Sequence, residues 1–213
     1  MKNISDIRKD YKLETLNEND TDQDAIRQFE KWWNQARESN IDEVNAMTLS
    51  TVGKNNKPSS RIVLLKGFNE NGFVFYTNYE SHKSVDIRSN PNVSLVFFWK
   101  ELERQVRIEG TAGRVSDEES DAYFNSRPEH SKIGAWASPQ SNVIASREAL
   151  EKNEAAFILK FEGKTITRPP HWGGYIIKPV CIELWQGRPG RLHDRICYSL
   201  VEENVWKKER LAP

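Results

Sequence analysis

Short runs of β-branched and aromatic residues, separated by turn residues, constrain this chain more than any other feature. Ala46–Val52, Arg61–Leu65 (RIVLL), Phe73–Thr77 (FVFYT) and Val93–Trp99 (VSLVFFW) each have the composition of a strand. Asn69–Gly72 (NENG) reads as a hairpin turn between two of them. Gln105–Ile108 alternates, and that strand is expected to continue past Gly110 to Val115. Further strands are expected over Tyr175–Ile177, Val180–Trp185, Ile196–Val201 and Val205–Lys208. Helical patterns interrupt this series. One is expected to start at Thr21, which has capping-box spacing with Asp24; Ala25, Ile26, Phe29, Trp32, Trp33 and Ala36 then make one apolar face, with both tryptophans in the core. Two more cover Ser116–Asn125 and Ser146–Phe161. No βαβ alternation is present. Strands joined mostly by hairpins, with helices at the margins, predict a mainly β chain built as an antiparallel barrel.

Residues 1–20 lack apolar periodicity and are expected to be mobile, leaving 21–213 as one domain of ordinary size. The 31 basic and 31 acidic residues balance, which argues against a nucleic-acid partner. Cys181 and Cys197 have no CxxC spacing, so neither a metal site nor a disulfide framework is expected. The polar N-terminus is unlike a signal peptide and no apolar run reaches membrane-spanning length, so a soluble, cytoplasmic protein is expected.

Charge is uneven along the chain, with Asn17–Thr48 acid-rich and Lys160–Arg195 base-rich. The basic part contains WQGRPGRLHDR, which sets Trp185, Arg188, Arg191, His193 and Arg195 close together, with Arg61 expected as their distant partner. Guanidinium forks suit phosphate and carboxylate, and a tryptophan beside them offers a flat apolar wall. The bland alternative is a solvated loop with internal ion pairs.

Three other clusters have the same double reading. Arg61 and Lys66 flank an apolar strand (RIVLLK); they serve two anions, or one if the strand bulges, or they merely reach solvent. Tyr76-Thr77-Asn78 ends a strand, and a short helix begins near Ser81-His82-Lys83, where free N–H groups and a lysine suit an anion. Tyr123 and Arg127 share a helical face; Pro128 is expected to break that helix, so that Ser131 arrives by a turn to complete a phosphate cradle. Gln140-Ser141 adds a weaker signal for reading the polar edge of a heterocycle. Nucleotide-binding glycine motifs, GxSxG and metal-ligand spacing are absent, and His82, His130 and His171 have no evident acid–base partner. A chain without its own nucleophile points to cofactor chemistry.

RIVLLK, FVFYTN, ERQVRIEG, SRPEHSKIGAWAS, RPPHWGGY, IELWQGRPGRLHDR and the terminal RLAP, in this order, resemble the pyridoxamine 5′-phosphate oxidase family across nearly the whole chain. The resemblance implies an FMN-binding split barrel that is a homodimer with flavin between subunits. It implies oxidation of pyridoxamine or pyridoxine 5′-phosphate to pyridoxal 5′-phosphate, by hydride transfer from C4′ to flavin N5, with oxygen reduced to hydrogen peroxide. It assigns Arg61 and Lys83 to the FMN phosphate, with the strand Arg61-Ile62-Val63-Leu64-Leu65-Lys66 beside the flavin. Tyr76, Thr77, Gln105, Gln140, Ser141, Trp185 and Arg195 match further flavin contacts. Lys66, Tyr123, Arg127 and Ser131 match the clamp on the substrate phosphate, and Arg191 and His193 match residues facing the substrate ring. Arg8 and Tyr11 match a mobile segment that covers the site, although the glycines that often follow them are missing here.

One departure concerns the helix start, where the family's SRK is Ser81-His82-Lys83. His82 either helps hold the flavin phosphate in a pH-dependent way or points to solvent. Two alternatives remain: another FMN split-barrel protein with a different ligand, and a non-catalytic binder of pyridoxal phosphate. The substrate clamp separates the first from the oxidase, and turnover separates the second.

Overall fold

The computed structural model describes residues 3–7 and 9–213. Nine antiparallel strands form one sheet: β1 (Ala46–Val52), β2 (Pro58–Leu64), β3 (Gly67–Asn69), β4 (Gly72–Asn78), β5 (Asn92–Trp99), β6 (Arg104–Arg114), β7 (Trp172–Gln186), β8 (Asp194–Glu202) and β9 (Val205–Leu211). The order is β2-β1-β5-β6-β7-β4-β3, with β8 and β9 branching from β7. Among the described residues, five α-helices lie around it: α1 (Ala25–Glu38), α2 (His82–Ser89), α3 (Asp117–Ser126), α4 (Glu129–Ala137) and α5 (Arg147–Phe161). None is long and apolar enough to cross a membrane.

Strand β7 organises the whole sheet. One edge pairs with β6 along almost its full length; the other is shared, with β4 on residues 172–177 and β8 on residues 181–186. The sequence reads this element as two strands, Tyr175–Ile177 and Val180–Trp185, with Pro179 between them. The structure makes it one. Pro179 sits opposite Gly110, where the register shifts, so the missing N–H falls at an irregularity of the ladder.

The core is aromatic. Phe29 of α1 is fully buried and meets Phe68 and Phe73 edge-on, each at 4.9 Å, with Phe97 and Trp99 beyond. Such pairs add to the gain from area burial alone. Trp32 and Trp33 face this interior, and the Arg104 guanidinium lies 4.5 Å over the Trp32 ring.

Two helix boundaries differ from expectation. Thr21 does not start α1: its hydroxyl closes a 3-10 turn (Glu18–Asp20) by donating to the Glu18 carbonyl, and Asp24 is the N-cap, accepting from the Arg27 amide at 2.8 Å. Either residue type can cap, and the turn claims Thr21 first. Pro128 both ends one helix and opens the next. Its missing N–H costs nothing at a helix start, so Ser131 lies in the first turn of α4 instead of a loop. Ser116 and Ser146, where the sequence begins the next two helices, are the N-caps of α3 and α5.

Candidate functional site

A groove of about 530 Å³ opens between β2, β4 and the α3–α4 junction. Among the described residues, its lining contains Arg61, Lys66, Lys83 and Arg127, and no acidic residue. Four cations around one concavity without a carboxylate among them make it a receptor for anions.

Each cation is positioned by its element. Arg61 of β2 donates to the Thr51 hydroxyl at 2.8 Å and the Ser59 hydroxyl at 2.9 Å, with the buried Asp86 carboxylate 4.0 Å away. Lys66 follows the end of β2, where its amide donates to Val74. Arg61 and Lys66 therefore reach the same groove although the strand carries only the first. Lys83, in the first turn of α2, donates to Gln140 Oε1 at 2.8 Å and to the Thr77 and Ser81 hydroxyls, each at 3.2 Å. Burial, and then repulsion from Arg61, lowers its pKa to about 8. Arg127 lies in extended backbone between α3 and α4, its guanidinium 4.7 Å over Trp172. Its buried NH1 has no hydrogen-bond partner among the described residues, and such a group gains most from an incoming oxygen.

The walls are aromatic and aliphatic. Tyr76 stacks on Tyr123 at 3.9 Å and on Trp172 at 5.5 Å. Ile62, Val63 and Leu64 form the other side, with Ile62 64% exposed. Thr77, Ser131, Pro128 and Gln140 complete the lining. Leu65 turns its side chain into the core. Ser141 is exposed outside the lining, with φ +72. His82 is also outside: it is 65% exposed and turns to Asp86, at 3.7 Å.

A second cluster gathers the remaining expected residues, Arg8 excepted, which lies outside the described residues. Gln105, Trp185 and Arg195 form a row across β6, β7 and β8. The Trp185 and His193 rings are 4.6 Å apart, and Tyr11 meets both edge-on. The Arg188 amide donates to His193 Nδ1 at 3.0 Å, which leaves the ring proton on Nε2. Burial, then Arg191, lowers the His193 pKa, so the neutral ring is favoured. Arg191 is exposed on a 3-10 turn at φ +63. Arg195 is held by Glu183 through two hydrogen bonds, of 2.8 and 3.1 Å.

The expected partnership of Arg61 with Arg188, Arg191 and Arg195 is not found within one chain. Tyr76 of the groove pairs with Gly174, and Trp185 is eleven residues further along β7 (174 to 185). At about 3.3 Å per residue, that is on the order of 35 Å along the strand. Antiparallel pairing fixed both clusters to opposite ends of one long strand.

Residues 34–158 match the family model described as pyridoxamine 5′-phosphate oxidase, and residues 172–213 match the pyridoxine 5′-phosphate oxidase C-terminal dimerisation region. The chain belongs to the pyridoxamine 5′-phosphate oxidase family. The pyridoxine/pyridoxamine 5′-phosphate oxidase of Cupriavidus metallidurans is 52% identical over 213 residues, 100% of both chains. That of Gloeothece citriformis is 54% identical over 210 residues, 99% of this chain and 98% of its own. Among solved structures, PhzG from Burkholderia lata, in complex with tetrahydrophenazine-1-carboxylic acid, matches with a TM-score of 0.87 and 27% identity, over 94% of this chain and 99% of its own. A pyridoxamine 5′-phosphate oxidase-related, FMN-binding protein from Nostoc punctiforme shares the fold, with a TM-score of 0.69 and 18% identity over 88% and 97% of the two chains. The fold is thus the FMN-binding split barrel of this oxidase family.

Three residues around the oxidase clusters escaped the sequence reading. Trp172 lines the groove through its register opposite Asn78, which no local pattern shows. Asp86 and Glu183 are buried acids beside Arg61 and Arg195. Glu183 had a usable signal, because an acid inside the apolar run IELW must find a cation.

Proposed function

We propose that the groove is half of an active site completed by the Trp185–His193 cluster of a second copy, so that two copies enclose FMN and substrate together. The chain is an FMN-dependent oxidase that converts pyridoxine and pyridoxamine 5′-phosphates to pyridoxal 5′-phosphate. The observation that carries the residue-level reading is that, among the described residues, the groove has four cations, no acid and one buried guanidinium N–H without a partner. Two phosphates, one on the cofactor and one on the substrate, fit that charge. The C-terminal match to a dimerisation region supports the pairing of copies. In this reading residues 21–213 act as one domain and 1–20 as a strap.

Arg61 and Lys83 hold the FMN phosphate, and Ile62 to Leu64, Lys66, Tyr76, Thr77 and Gln140 run along the cofactor, while the core side chain of Leu65 and the exposed Ser141 make no side-chain contact with it in this reading. Lys66, Tyr123, Arg127 and Ser131 hold the substrate phosphate. From the other copy, Gln105, Trp185 and Arg195 face the flavin, while Arg191 and His193 face the substrate ring. When bound, FMN supplies the two-electron acceptor for the hydride leaving C4′ and passes the electrons to oxygen. The protein's own share is orientation. Phosphate contacts remote from C4′ fix the ring, and this binding energy counts toward the barrier when it aligns the reacting atoms. His193 offers Nε2–H as a donor from a neutral ring, and Arg191 offers a permanent cation.

An oxygen-uptake assay with both phosphorylated substrates, run beside sedimentation of the yellow protein, tests this proposal. A flavin-loaded dimer that produces peroxide is expected; an active flavin-loaded monomer would overturn the shared site.

His82 has no phosphate role in this reading, since it lies outside the lining and turns to Asp86. His82→Ala is expected to leave FMN affinity within about twofold, as for other exposed charge partners. Titration of apo-protein with FMN reads this directly, and a tenfold loss would return His82 to the site.

A further inference from the structure

We propose that Glu103 is a positioning residue of this enzyme: its buried carboxylate fastens the N-terminal strap so that Tyr11 closes over Trp185 and His193. Glu103 lies in the turn between β5 and β6, ninety positions from the strap it holds. Its side chain is 4% exposed. One carboxylate oxygen accepts from the Lys12 amide at 2.7 Å and from the Leu13 amide at 3.1 Å. The other lies 3.3 Å from the Lys9 ammonium. Burial pushes this carboxyl up; the two amides and Lys9 outweigh it, so the group stays below its ordinary value and remains ionised.

The backbone of Glu103 serves the same junction. Its carbonyl accepts from the Gly187 amide at 2.8 Å, at the start of the loop that carries Arg188, Arg191 and His193. One residue therefore ties the strap, through its side chain, to the active-site loop, through its main chain. It does so at φ +54, where glycine would be less strained. Three donors on one buried carboxylate offset that cost.

Tyr11 is the product of this tether. It packs 5.6 Å from the Trp185 ring and 5.9 Å from the His193 ring. It also fills the space above Gly187, where an added Cβ would come within 2.6 Å of the tyrosine ring. A second fastening, from Leu16 to Asp194 and from Glu14 to Arg188, holds the strap further along and does not involve Glu103. Loss of the Glu103 carboxylate therefore frees residues 9–13 selectively, with Tyr11 among them.

The proposal rests on the reading that Trp185 and His193 face the substrate. It is tested on the FMN-loaded enzyme with Glu103→Gln, Tyr11→Ala and the double variant. Trypsin cuts after Lys9 and Lys12, so strap release is read as cleavage rate. Glu103→Gln is expected to raise that rate roughly tenfold, as loss of one charge-assisted contact would. It should raise KM for pyridoxine 5′-phosphate by a similar factor and change kcat much less. Added to Tyr11→Ala, it should raise KM no further, because both changes act through the same ring. Should Glu103→Gln fail to load FMN, Lys12→Pro removes one of the amide donors together with one trypsin site, so cleavage after Lys9 alone is compared with the wild type and is expected to accelerate in the same way, with the same rise in KM. Unchanged cleavage in both variants overturns the proposal. Faster cleavage without a KM change, where Tyr11→Ala does raise KM, overturns it alone. An unaltered KM in Tyr11→Ala overturns it together with the placement of the Trp185–His193 cluster at the substrate.

Discussion

Arg127→Ala is expected to raise KM for pyridoxine 5′-phosphate by roughly tenfold to a hundredfold, the range for a lost charge-assisted contact of about 1.5–3 kcal/mol. FMN affinity should stay within about twofold, as for an independent site. The guanidinium is half-buried over Trp172, and one of its buried N–H groups has no acceptor among the described residues. Burial lowers its pKa, yet guanidinium stays protonated at any working pH. It is a desolvated cation waiting for an anion. The effect should fall on KM more than on kcat if the phosphate contact is made equally in ground and transition states. Steady-state kinetics and an FMN titration of the same variant check this. Equal losses for both ligands would reject the assignment of Arg127 to the substrate and Lys83 to the cofactor.

Lys83→Met is expected to weaken FMN binding roughly tenfold to a hundredfold below pH 8, again the range for a lost charge-assisted phosphate contact. It should also remove a pH dependence. In the free protein, burial and the neighbouring Arg61 hold the Lys83 pKa at about 8. The ammonium is therefore present below that pH and lost above it. A bound phosphate favours the ammonium and raises its pKa. Binding above about pH 8 must then take up a proton, so affinity falls as pH rises from there toward the pKa of the complex. The variant should lack this fall, and Lys83→Arg, charged throughout, should lack it as well. Apo-protein titrated with FMN between pH 7 and pH 10 gives the comparison. Superimposable profiles for wild type and Lys83→Met would remove Lys83 from the phosphate site.

Local chemistry was legible in the residues themselves. Ala46–Val52 is a strand with the expected limits, and Ser116 and Ser146 cap the helices that follow them. These outcomes depend on neighbours within a few positions, where side-chain shape and capping oxygens act directly on the backbone. The groove's membership was also readable, since Arg61, Lys66, Tyr76, Thr77, Arg127 and Ser131 sit in motifs whose order carries the family resemblance, and Lys83, Tyr123 and Gln140 lie in the clusters read beside them.

Tertiary structure decided what lay between those motifs. Whether Tyr175–Ile177 and Val180–Trp185 were one strand or two depended on Gly110 opposite Pro179, a pairing set by sheet register. The same register sent Arg61 and Trp185 to different places and broke the expected arginine cluster of a single chain. His82 met Asp86 because one helical turn brought them together, beside a β2 arginine that the sequence places twenty-one positions earlier (61 to 82). Glu103 acquired its role only when the chain folded back ninety residues to lay two amides on its carboxylate. Propensity and motif act over a turn or a strand. Register and long-range hydrogen bonds exist only after the chain has closed on itself, and they decided which expected site residues share a groove.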